Sequence, residues 1–225
     1  MNYKIIFIYI LSFLCVTSCN NKKDVDITPY ITEPKADSIY QLAIALVNSS
    51  FDVDSTSKAM VLLDQALSID SMNPDYYGVK AKLLAEMGYL DSALNIQTLA
   101  DQKGAITGEY LFQLGLFQAA KDKDGEAHKS FERSNNYLKA VLEKYPDSLG
   151  AFMIQQAAYA LYKGEDSLFM NDIRTIRKRY PDRLMEIEMT RRLDPSSLIK
   201  QLKNIEKNAI IEDMTIDLDS LEKNN

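Results

Sequence analysis

The sequence predicts an all-α fold, a right-handed solenoid of about four helix pairs closed by a C-terminal capping helix. Breakers are sparse, with eight glycines and six prolines in 225 residues. The long intervals between them are rich in Ala, Leu, Lys, Glu and Gln, which favour helix. Small residues also recur at a fixed interval: Ala59, Ala93 and Ala127 are successively 34 residues apart, and so are Ala66 and Ala100. A fixed period of that length marks a repeat array in which each unit buries its apolar face against the next. An alanine or glycine at each helix crossing lets two backbones approach while Leu and Phe fill the space beside them.

The N-terminus sets the compartment. Lys4 precedes an apolar run, Ile5 to Leu11 and then Phe13 to Val16, which has the form of a secretory signal peptide over residues 1–18. At about a dozen residues the run falls short of the roughly twenty that a membrane-spanning helix needs. It ends in Val16-Thr17-Ser18-Cys19, which resembles the lipobox of bacterial lipoproteins. That resemblance implies cleavage before Cys19, a thioether-linked diacyl lipid on its sulfur, and acylation (typically palmitate) of the new amino terminus. Two or more buried chains make a stable anchor. Cys15 would leave with the signal, so no thiol remains for a disulfide, a metal or catalysis. Loss of Lys4 leaves 25 basic against 32 acidic residues, a net charge of −7, which argues against a nucleic-acid partner. Residues 19–35 are polar to Glu33 and read as a tether; about fourteen flexible residues span on the order of 20 Å.

Residues 36–182 carry the repeats. The clearest unit runs Ala59, Leu63, Ala66-Leu67, Ile69-Asp70, then Asn73-Pro74-Asp75-Tyr76-Tyr77, then Ala81, Leu84, Gly88 and Ala93. It resembles the tetratricopeptide repeat, which implies paired helices with a glycine in the turn and a concave face lined by the first helix of each pair. Leu114-Gly115, Ala127 and Phe131 continue the pattern, and Gly164 with Tyr180-Pro181 closes the fourth unit. Asp54, Asp91, Asp124 and Asp166 precede apolar periods and are candidate helix caps.

The array departs from the repeat pattern in two places. Ala43 stands where an aromatic is common, which makes the first unit an irregular cap. The second helix of the third unit continues about seven residues, to Tyr145-Pro146. Two turns add only about 20° of drift, so Ala127, Phe131, Ser134, Leu138, Val141 and Tyr145 are expected on one stripe. Residues 183–225 read as capping helices and an acidic tail: Leu184 to Leu193, then a helix from Pro195 with Leu198, Ile199, Leu202 and Ile205 on one face. The stretch from Ile210 is expected to be loose.

Carried over from the repeat family, the partner-binding positions are Val79, Lys82 and Glu86 in the second unit, Phe112, Gln113 and Leu116 in the third, and Gln155, Gln156 and Tyr159 in the fourth. The helix from Glu109 to Ala120 is apolar nearly all round, so either neighbouring elements cover it or a ligand does. The Lys and Asn set with which some members clamp a C-terminal carboxylate is missing, and a peptide with apolar anchors is the expected guest. Arg174, Arg177, Lys178, Arg179, Arg183, Arg191 and Arg192 form a basic stretch, either ordinary solvated cations or a contact for an acidic partner or headgroups.

No catalytic site is expected. His128, the single histidine, is expected to face solvent, and no Ser-His-Asp set, metal motif or phosphate loop is present. No cofactor or metal is called for. The expected role is a lipid-tethered interaction module of the cell envelope, on the outer membrane by the residue after the cysteine, Asn20, with an unidentified envelope protein or peptide as partner. The rival is a component of an outer-membrane protein assembly machine, by analogy of lipobox plus repeats alone.

Overall fold

The computed structural model describes residues 30–49, 52–165, 175–191 and 195–222. The expected signal peptide, Cys19 and most of the expected tether lie outside them, as do Asp166, Arg174 and Arg192. Among the described residues every regular element is a helix: α1 (Pro34–Ser49), α2 (Val53–Ile69), α3 (Pro74–Glu86), α4 (Leu90–Lys103), α5 (Gly108–Ala120), α6 (Asp124–Lys144), α7 (Leu149–Lys163), a 3-10 turn (Pro181–Arg183), α8 (Leu184–Arg191) and α9 (Pro195–Glu222). Residues 175–179 are also helical.

The chain pairs its helices in sequence order, α1 on α2, α3 on α4, α5 on α6 and α6 on α7, with α2 against α3 and α4 against α5 joining successive pairs. The alanines with the 34-residue period are among the most buried residues: Ala59 and Ala93 are fully enclosed and Ala127 is 2% exposed. Glycine serves the same purpose where the approach is closest. A Cβ on Gly78 would lie 1.8 Å from the Tyr110 ring, and one on Gly115 would lie 2.5 Å from the Phe131 ring. Gly88, between α3 and α4, has φ +87° in addition, a conformation that L side chains rarely adopt.

The helix boundaries follow local chemistry, although not always at the residues the sequence suggested. Asp52 rather than Asp54 caps α2, accepting from the Ser55 amide at 2.8 Å. Asn73, Thr107 and Ser148 cap α3, α5 and α7. Asp54, Asp91 and Asp124 sit inside the first turns of α2, α4 and α6, where a carboxylate complements the helix dipole instead of capping an amide. Gly104 and Gly164 end α4 and α7 in the left-handed conformation.

The extension of α6 is present, 21 residues against 14 in α4. Ala127, Phe131, Ser134, Leu138 and Val141 stay on its buried face. Tyr145 does not: it follows the helix end, 40% exposed, because the drift and the break before Pro146 turn it outward. The stretch from Ile210, expected to be loose, continues α9 as helix to Glu222.

Candidate functional site

Three alternate helices, α3, α5 and α7, each meet α9. The 28-residue helix packs against all three, most extensively on α5. Leu198 and Leu202, 5% and 2% exposed, join the apolar cluster that contains Leu84, Leu116 and Ile154, with Ile199 and Ile205 packed at its margin. The four-residue spacing between the leucines puts them on one side of the helix, as the sequence indicated. Farther along, Glu206 accepts from Lys121 at 2.9 Å, and Lys203 pairs with Asp122. The Ala209 methyl then sits where a side chain on Gly88 would be, 2.3 Å from that ideal Cβ. The helix thus crosses α7 and α5 back to the end of α3.

The nine positions proposed to line a partner groove are distributed over several contacts. Leu116 lies in the cluster with Leu198 and Leu202. Lys82 and Glu86 are 9% and 8% exposed, at the four-residue spacing that places them on one side of α3. Val79 belongs instead to the apolar cluster of the first pair, with Tyr40, Leu63 and Tyr76. Phe112 turns toward α6, its ring centroid 5.9 Å from that of Phe131. Gln113 accepts from Gln97 of α4 at 3.0 Å, and Gln155 donates to Asn135 of α6 at 2.7 Å, so both are buried links between successive pairs. Gln156 donates to Gln155. Tyr159 is half-buried, with the Lys139 and Lys163 ammonium groups 5.5 and 5.9 Å from its ring centroid.

The physical reason is that α5 is enclosed on every side. From Gly108 to Ala120 only Ala119 retains appreciable exposure, so residues expected on an open face are enlisted in packing between pairs. Neighbouring elements cover the helix from Glu109 to Ala120.

Two carboxylates in this core have no hydrogen-bond partner for either oxygen, Glu86 and Glu109. Burial pushes each up to about 7 from an ordinary 4.5. The Lys82 charge opposes the shift at Glu86. At Glu109 its own amide and the Thr107 hydroxyl oppose it, and the Asp75 charge adds to it. Asp75 is itself raised by burial, although the Tyr110 hydroxyl donates to it at 3.0 Å. These groups were not singled out from the sequence. The available signal was an acidic residue, Glu109, opening a helix that is otherwise apolar on all sides.

The basic stretch is partly consumed inside the fold. Arg177 pairs with Glu188, and Arg179 donates to the Pro146 carbonyl at 2.6 Å while lying 4.8 Å from the Phe152 ring centroid. His128 is exposed, as expected, with its ring 4.8 Å from that of Tyr162. Among the described residues no group of His, Cys, Asp and Glu is arranged to hold a metal ion, and no helix is long and apolar enough to cross a membrane. Compared with protein-family models and with curated proteins, the chain matches none.

Proposed function

We propose that the chain is a lipid-anchored interaction module of the bacterial cell envelope, a tetratricopeptide-like solenoid held to the outer membrane through Cys19 and binding a protein or peptide partner without catalysing a reaction. The observation that carries the binding role is the seating of α9 across α3, α5 and α7, since a face that accepts one amphipathic helix has the anchors and charges to accept another. The 34-residue recurrence of enclosed alanines, the sequential helix pairing and the turn glycines support the repeat assignment. The anchor rests on the Val16-Thr17-Ser18-Cys19 resemblance behind an apolar run.

Two measurements test the proposal. A Cys19→Ala chain should remain uncleaved or mislocalised and take up no labelled fatty acid; undiminished labelling would overturn the anchor. A photo-crosslinking residue placed at exposed positions in living cells, followed by mass spectrometry of the products, should return a recurrent envelope partner. Failure to recover one from any position would overturn the interaction role.

A further inference from the structure

We propose that α9 is a displaceable guest of its own chain, and that the partner it yields to presents an amphipathic helix of the same pattern: aliphatic residues at i, i+4 and i+7, lysine at i+5, glutamate at i+8 and a small residue at i+11. The inference deepens the binding role proposed above and rests on it. With i at Leu198 the pattern is drawn from the α9 residues that meet α3, α5 and α7, beside Ile199.

Each part of the pattern has a physical reason. The aliphatic positions fill the apolar cluster around Leu116. Lys121 and Asp122 are neighbours of opposite sign at the end of α5, and they take Glu206 and Lys203 respectively. A helix docked in the reverse direction would exchange these charges and set like against like, so the pair reads direction as well as register. The small residue belongs to the close approach at Gly88, where the Ala209 methyl lies 2.3 Å from the position a Cβ on that glycine would take.

Release of α9 is favoured by how little of it is enclosed. Between Leu198 and Ala209 only Leu198 and Leu202 are buried, whereas α5 is buried on nearly all its residues. Lys203, Asn204, Lys207 and Asn208 are exposed. The pairs from α1 to α6 close on one another through their own alanines, leucines and aromatics. An element with few buried contacts and a solvated face opens at lower free energy than the core it covers, and a helix with the same pattern can then take its place.

The test uses the full chain. In hydrogen exchange on the unmodified protein, the amides from Leu198 to Ala209 should exchange at least tenfold faster than those of α5. A fluorescent peptide of residues 195–209 should bind a Lys203→Glu/Ala209→Trp chain, altered only within α9, at least tenfold tighter than it binds the unmodified chain. The same peptide with Leu198→Ala and Leu202→Ala should not bind either chain. Exchange of α9 in step with α5 overturns the proposal, and so does a natively melting double variant that binds the peptide no better than the parent. Should that variant fail to fold, the exchange result on the unmodified chain still decides. Recurrent crosslinks to a partner while α9 exchanges with the core would leave the interaction role standing and remove only the displaceable helix.

Discussion

Replacing Glu109 with Gln should remove a pH dependence of stability that the fold builds in. The carboxylate is 3% exposed, neither oxygen has a hydrogen-bond partner, and burial raises it from 4.5 to about 7. The folded chain therefore holds this proton more tightly than the unfolded chain does. Its stabilising effect is fully present below pH 4.5, declines as pH rises, and is gone once pH has passed the folded value near 7. Each tenfold difference in proton affinity between the folded and unfolded chains is worth about 1.4 kcal/mol, so the loss from pH 4 to pH 8 is about 3 kcal/mol. Glutamine carries no charge to desolvate, but its amide N–H groups would be as poorly partnered as the carboxylate, at a cost of about 1–3 kcal/mol that does not vary with pH. The informative quantity is thus the difference between the two pH profiles, in which the titration of groups that do not interact with Glu109 cancels and the Asp75 contribution remains. Urea unfolding followed by circular dichroism from pH 4.5 to 8 should show the parent losing stability relative to Glu109→Gln by about 3 kcal/mol. Glu86→Gln should behave alike, since its carboxylate is raised by the same cause. Profiles that stay parallel would refute the reasoning, for they would mean that water or a counter-charge reaches the buried oxygens.

Gly78→Ala should cost about 3 kcal/mol or more, because the new methyl occupies the Tyr110 ring position and dislodges its bond to Asp75; Tyr110→Leu in the same chain should recover part of the loss, and additive melts would contradict the contact. Ala93→Leu should destabilise by about 1–3 kcal/mol at a fully enclosed crossing, whereas His128→Leu on the exposed side of α6 should lie within about 0.5 kcal/mol of the parent; equal tolerance would discount the repeat packing. Phe112→Ala should cost about 3–5 kcal/mol as a core truncation against Phe131, while Tyr159→Ala, half-buried between two lysines, should cost clearly less; native-like melting of both variants would return them to an open surface.

The elements that were legible in the sequence are those whose cause is local or periodic. The 34-residue recurrence of alanine identified positions that prove to be enclosed, and the leucine stripe from Leu198 announced an amphipathic α9 starting at Pro195. The α6 extension was legible because it continues one apolar stripe past a missing breaker. The destination of α9 was not legible. Nothing in its spacing distinguishes a helix that caps the last pair from one that crosses back to α3, because that choice depends on where three separate helices leave space. The proposed groove suffered for the same reason: Gln113 and Gln155 look like polar residues awaiting a guest until Gln97 and Asn135 are placed opposite them. Gly78 carried an unused signal, since a glycine inside a helical pattern is costly and implies a close neighbour.

The short segment before α1 is fastened to the helices that follow it. The Tyr30 hydroxyl and the Glu33 amide both donate to Asp70, and Asn73 donates to Thr32 at 3.3 Å, so the chain is stitched to the α2–α3 junction from Tyr30 onward. Only eleven residue-to-residue steps separate that stitch from Cys19. At full extension they measure about 40 Å. Were Cys19 lipidated as we propose, the α2–α3 junction would be confined to a layer no deeper than that. A partner rooted in the same leaflet would then meet it by lateral diffusion in two dimensions, while a freely diffusing one would first have to enter the layer; such an anchor would rank partners by where they live before any side chain does.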